Sequence, residues 1–153
     1  NEAMTGYPLG LVGWFLMNEI EGEALTGETD PSRILSVMAE RYPAASVVLT
    51  LGAQGAYCAH AGQTYYQPAF KVKAVDTTAA GDAFIGGLLS QLQREGVDAA
   101  GFDAFLAAGE RVQQALRHAA ASGALAVTRH GAFAALPTHA EALALLAADA
   151  SSR

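Results

Sequence analysis

A 153-residue chain with a net charge of −6, two lysines (Lys71 and Lys73) and no basic run is a poor nucleic-acid binder. Its hydrophobic fraction of 52%, swelled by alanine, can fill the core of one domain. The single cysteine, Cys58, excludes an intrachain disulfide and suits a reducing, cytoplasmic setting, while the longest apolar run, residues 8–17, is too short to span a bilayer and lacks a signal peptide's charged flank.

The chain opens on Asn1 rather than Met, which reads as a trimmed chain with residues 1–5 as loop or foreign sequence. Residues 11–17 read as a buried parallel strand by their unbroken apolar character. Asn18 opens a short helical turn that stops at Gly27. Asp30-Pro31-Ser32 is a helix start, with proline where a missing N–H costs nothing, and that helix runs to about residue 41. Residues 45–51 form a second buried strand, ended by Gly52. Residues 56–60 and 64–67 flank Ala61-Gly62-Gln63 as a hairpin. Residues 70–75 read as a further strand and 81–94 as a helix ending before Gly96. Residues 102–122 read as one long alanine-rich helix, and 125–128 as a short buried segment. Thr138 caps a last helix over 141–148, and the end of the chain, 148–153, frays. Strands alternating with helices predict an α/β fold: a mainly parallel sheet with helices on both faces, and no repeat or interdomain linker. The histidines, His60, His118, His130 and His139, lack metal-ligand spacing and read as surface or turn residues.

The segment Val75-Asp76-Thr77-Thr78-Ala79-Ala80-Gly81-Asp82-Ala83-Phe84 carries the most chemistry. Its small side chains leave backbone N–H groups uncovered, and the helix that follows points its positive end at them, a way to hold a developing anion. Asp82, at the helix entrance, can take a proton from an attacking hydroxyl or simply cap the helix. Asn18 and Glu21, three apart, share one helix face, whether as a site pair or as an ordinary helix start. Gly52 and Gly55 fit neither a G-x-x-x-x-G-K-[ST] nor a G-x-G-x-x-G spacing, so a Walker phosphate loop and a dinucleotide fingerprint are both excluded.

The 75–84 segment resembles the D-T-T-G-A-G-D-x-F signature of the ribokinase-like (PfkB-type) carbohydrate kinases, with Ala79 in place of the first glycine. Three further segments resemble that family in the same order. They are the N-x-x-E of Asn18 to Glu21, the T-L-G-x-x-G of Thr50 to Gly55, and the G-A-L-A-V-T-R-x-G-A of Gly123 to Ala132. The resemblance covers the chain from about Val12 onward but only about the C-terminal half of a family member. It implies a ribokinase-like, Rossmann-like α/β fold whose sugar-binding half is absent from this chain, and a core surface that the absent half would cover.

What the resemblance implies about residues is specific. Asp82 is the catalytic base. The turn Ala79, Ala80 and Gly81 is the anion hole, with the amides of residues 80–82 facing the transferring phosphoryl oxygens. Thr50, Gly52 and Gly55 form the nucleotide loop with Asn18, and Glu21 holds Mg²⁺ through water, as suits an ion that keeps its hydration shell. Asp76, Thr78, Ala126, Arg129 and Gly131 enclose a monovalent cation, K⁺, mostly through backbone carbonyls. Ala120 stands where the family often has an asparagine near the adenine, Ala135 where a serine is frequent, and Met17 where a proline usually precedes the asparagine. The implied activity is ATP-dependent phosphorylation of a sugar's primary hydroxyl, with sugar and nucleotide as partners and no membrane or nucleic acid. A homo-oligomer is left open, and so are a relative acting on a nucleoside or another sugar and a non-catalytic nucleotide-binding fragment or regulatory module.

Overall fold

In the computed structural model, which describes residues 8–151, the apolar run opens with a 3-10 turn at Leu9–Leu11 and becomes strand β1 over Trp14–Asn18. The reading of residues 1–5 lies outside the described residues. Helix α1 (Glu19–Thr26) follows without a loop because Asn18 serves both elements. Its backbone is extended, and its side chain accepts from the Glu21 amide at 2.9 Å. The Glu21 carboxylate accepts from the Asn18 amide at 2.9 Å in return, closing a capping box. Gly27, at φ 81°, ends the helix in the left-handed region. Helix α2 (Pro31–Arg41) starts where Pro31 predicts, with Asp30 accepting from the Arg33 amide at 3.0 Å.

Strands β2 (Ser46–Thr50), β3 (Ala56–His60) and β4 (Gln63–Gln67) complete a four-stranded sheet in the order β1-β2-β3-β4. β1 and β2 pair in parallel, with α1 and α2 as the crossover between them. β2 and β3 pair antiparallel, because the short 51–55 connection can only turn back. The sheet is therefore mixed, not mainly parallel as expected. The β3–β4 turn has positive φ at both Ala61 (47°) and Gly62 (78°), so β4 begins one residue earlier than the sequence suggests. The described residues through Leu51, together with Ala56–Tyr66, form one compact unit. Its core sets Ile34, Leu35 and Met38 of α2 against Phe15, Met17, Val47 and Leu49 of the strands. Ile34 and Met38 are fully buried, each worth about 1.5–3 kcal/mol.

A second compact unit comprises Gly52–Gly55 and the described residues from Gln67 onward. It holds helices α3 (Ala80–Arg94), α4 (Phe102–Ala107), α5 (Gly109–Ala126) and α6 (His139–Ser151). α3 and α5 pack backbone to backbone. A Cβ on Gly87 would lie 2.5 Å from the Ser122 hydroxyl, and one on Gly123 3.2 Å from the Ala80 carbonyl. Ala115, Ala119 and Ala121 of α5 are fully buried, and Ala119 lies at the close approach to Gly87.

Four sequence expectations are corrected in this unit. Residues 70–75 are not a strand, and 125–128 are the end of α5 and its exit turn. The two meet as a loop on a helix end: the amides of Val75 and Asp76 both donate to the Val127 carbonyl, at 2.7 and 3.1 Å, and no ladder extends from there. The long helix breaks at Ala108 (φ −91°, ψ 82°), just before Gly109, whose poor helix propensity makes an interruption cheap there. The last helix begins at His139 and continues to Ser151, past the point where fraying was expected; Ser152 and Arg153 lie outside the described residues. Thr138 caps it as expected, its hydroxyl accepting from the Glu141 amide at 3.3 Å while the Glu141 carboxylate accepts from the Thr138 amide at 2.7 Å.

Candidate active site

In the first unit, register places Asn18 directly beside Thr50, at the carboxyl ends of adjacent parallel strands. That is the end of an α/β sheet where ligands collect. Glu21 is exposed one helical turn on, engaged with Asn18 in the capping box. The Thr50 hydroxyl donates weakly, at 3.4 Å, to the Met17 carbonyl.

In the second unit, Gly52–Gln54 is a 3-10 turn closed by the Gly55 amide on the Gly52 carbonyl at 3.2 Å. Gly55 has φ 114°, and a Cβ there would sit 2.1 Å from the Gln67 carbonyl and 2.8 Å from Pro68 Cα. No other residue fits, a structural demand the motif spacing alone does not disclose.

The 75–84 segment forms a closed turn. Asp76 Oδ1 accepts from the Thr78 amide at 3.0 Å and the Thr78 hydroxyl at 2.6 Å, while Oδ2 accepts from the Gly131 amide at 3.0 Å. Those bonds, the Thr78 hydroxyl first, hold the Asp76 carboxyl down at about 2. Asp76 thus joins the turn to the 126–131 loop, and brings Thr78, Arg129 and Gly131 into one neighbourhood, with Ala126 buried at the end of α5. The Asp76 carboxylate is a hard oxygen donor of the class that takes hard cations, and in this structure its oxygens accept from the Thr78 and Gly131 donors.

The Ala80 amide is already engaged, donating to the Thr77 carbonyl at 3.2 Å, and Ala79 is buried. No side chain caps α3, so its first-turn amides at Gly81 and Asp82 remain to meet an anion. Asp82 is exposed in that first turn and lines a cavity of about 170 Å³ with Gly86, Ser90, His118, Thr138 and His139. Ala120 is buried on α5.

The histidine reading is corrected here. His118 is buried, 4% exposed, and its Nε2 shares a hydrogen bond of 2.9 Å with His139 Nδ1 in the wall of that cavity. His60 is half-buried and bonded to the Ser46 hydroxyl at 2.9 Å. The signal that could have found His118 is helical phase: it lies on the buried stripe of α5 with Ala115 and Ser122. Burial pushes the His118 imidazole below its ordinary value, helped by His139 and Arg94 and opposed by the backbone of Gly87. The folded chain therefore keeps His118 neutral where the unfolded chain binds a proton, and stability is lost as pH falls below about 6.5. Melting temperature is expected to drop between pH 7 and 5.5, and His118→Phe to flatten that slope; equal slopes in both proteins would show that the pair does not titrate with unfolding.

Burial likewise pushes the Cys58 thiol up to about 12, which leaves it inert at neutral pH. No helix among the described residues is long and apolar enough to cross a membrane.

Residues 7–139 match the pfkB family of carbohydrate kinases. The chain belongs to that family. It is 34% identical over 143 residues to the ribokinase of Haemophilus influenzae, covering 90% of this chain and 42% of that protein. The structure of a fructokinase from Xylella fastidiosa with bound ATP superposes with a TM-score of 0.82 at 32% identity, over 93% of this chain and 44% of that one. A doubly substituted fructokinase from Vibrio cholerae, bound to fructose, ADP and a potassium ion, gives a TM-score of 0.71 at 34% identity, over 89% and 41%. These matches bear out the ribokinase-like α/β fold. The pfkB chain described here spans about two fifths of the length of the relatives it matches.

Proposed function

We propose that this chain is the C-terminal, nucleotide-binding portion of an ATP-dependent sugar kinase and carries its catalytic base. The observation that supports this best is Asp82: an exposed carboxylate in the uncapped first turn of α3, beside a cavity, in a pfkB-family chain. In the reaction, Asp82 accepts the proton of the sugar's primary hydroxyl while that oxygen attacks the γ-phosphorus. The bond from the γ-phosphorus to the bridging oxygen breaks, and ADP leaves with the electron pair. Within the 79–82 turn, the first-turn amides of Gly81 and Asp82 hold the phosphoryl oxygens, where preorganised donors act only as charge develops. Thr50, Gly52 and Gly55 hold the nucleotide with Asn18, and Ala120 offers it an apolar contact. Asn18 and Glu21 order the waters of Mg²⁺, which when bound neutralises phosphate charge. Asp76, Thr78, Ala126, Arg129 and Gly131 hold K⁺, and the potassium in the Vibrio cholerae fructokinase supports that assignment. The acceptor is a ribose- or fructose-class sugar, and the enzyme is cytoplasmic.

The test is ADP release by a full-length kinase containing this segment, across a panel of ribose, fructose and nucleosides, in K⁺, Na⁺ and Li⁺ at matched ionic strength. Turnover with ribose or fructose is expected, faster in K⁺, with the gain in kcat rather than nucleotide KM and the response weakened by Asp76→Asn. A nucleoside as the sole acceptor would overturn the sugar assignment. Equal rates in all three salts would leave Asp76 as a turn residue.

A further inference from the structure

We propose that Glu141 is a positioning residue for the Asp76 site: by gripping Arg129, it holds the 126–131 loop closed against Asp76. The inference rests on the cation reading above for its function, but its geometry stands apart from it.

The carboxylate of Glu141 is divided between two tasks. Oε2 accepts from the Thr138 amide at 2.7 Å and the Thr138 hydroxyl at 2.8 Å, which fixes the carboxylate to the N-terminus of α6. Oε1 is left for the Arg129 guanidinium, with which it forms an ion pair and a hydrogen bond. Arg129 sits midway along the loop. On one side of it the Val127 carbonyl accepts from the amides of Val75 and Asp76. On the other the Gly131 amide donates to Asp76 Oδ2.

The Val127 contact anchors the start of the loop at the end of α5, where helix bonds also hold it. The far contact has no such support. Gly131 is exposed, stands at φ 88°, and meets Asp76 through one hydrogen bond across 55 residues of sequence. A bond of that kind on an exposed loop opens readily unless the loop is tethered elsewhere. The Arg129–Glu141 pair is that tether, and α6 is the rigid element behind it.

The experiment is amide hydrogen exchange on the whole 153-residue chain and on Glu141→Gln, which keeps an acceptor for Thr138 but loses the charge that holds Arg129. The Gly131 amide is expected to exchange about tenfold or more faster in the variant, with Ala119 and its neighbours on α5 unchanged. Arg129→Lys, which keeps the ion pair, should behave as the wild type, and Arg129→Met as Glu141→Gln. Unchanged exchange at Gly131 would overturn the proposal. So would equal acceleration throughout α5, which would make Glu141 a helix cap and no more. A second arm measures melting temperature in KCl against NaCl. The wild-type chain should gain more from K⁺ and Glu141→Gln should lose that preference. Absence of a K⁺ preference in the wild type would sink the cation reading, while the exchange result decides the role of Glu141 on its own.

Discussion

Asp82→Asn, in a full-length kinase containing this segment, is expected to lower kcat by about 10²–10⁴-fold and to leave nucleotide affinity nearly unchanged. Asparagine is close to isosteric and keeps the first-turn position, so α3 and its amides stay in place. What is lost is the capacity to accept the acceptor's proton as the oxygen attacks phosphorus. Asp82 accepts no hydrogen bond within its own turn that would define it as a cap; no side chain caps α3. A variant that keeps half its activity would reduce Asp82 to a favourable charge at a helix N-terminus, worth only about 0.3–1 kcal/mol.

The 153-residue chain by itself is expected to turn over no sugar above background while still binding nucleotide. It spans about two fifths of the length of its relatives, and its proposed share of the site is the phosphate and proton machinery. Without groups to hold the acceptor hydroxyl in line with the γ-phosphorus, the reaction forfeits the advantage of orientation, roughly 7–11 kcal/mol. A coupled assay of ADP release with ribose and fructose measures it. Turnover near about 1 s⁻¹, an ordinary enzyme rate, would mean that this chain positions the acceptor too.

How much of this was legible beforehand depends on the range of the interaction that decides each feature. Asn18, Gly27, Asp30, Pro31 and Thr138 act through bonds of two to four residues, and each sits where its local chemistry places it. Strand β1 declared itself through an unbroken apolar run, and β2 through a mostly apolar run ended by Gly52. Residues 70–75 did not, because an apolar alternation becomes a strand only where a partner strand lies alongside, and here the segment meets the end of α5. Residues 125–128 were read only as a short buried segment, and the structure shows α5 continuing through Ala126 into it, because a short apolar stretch has no period long enough to set a helix end. The break at Ala108 was hidden because the alanines before it favour helix, even though Gly109 after it does not.

The candidate site divides the same way. The turn at 76–82 could be named from its small residues and carboxylates, and Asn18 and Thr50 from segments that resemble the family's. The Asp76–Gly131 bond, the His118–His139 pair and the Arg129–Glu141 grip join residues 12 to 55 positions apart, and no local pattern announces them. The requirement for glycine at position 55 is of that kind too, since it comes from the Gln67 and Pro68 backbone.

The central proposal is that Gly52–Gly55 and the 79–82 turn, both in the second unit, bind the phosphates of a nucleotide, and titration of the ¹⁵N-labelled chain with Mg²⁺ and a non-hydrolysable ATP analogue tests it most directly. The account predicts saturable amide shifts at Gly52, Gly55, Gly81 and Asp82, abolished by omitting the nucleotide and retained in Asp82→Asn. Shifts that spare these amides, or no saturable binding at all, would contradict it.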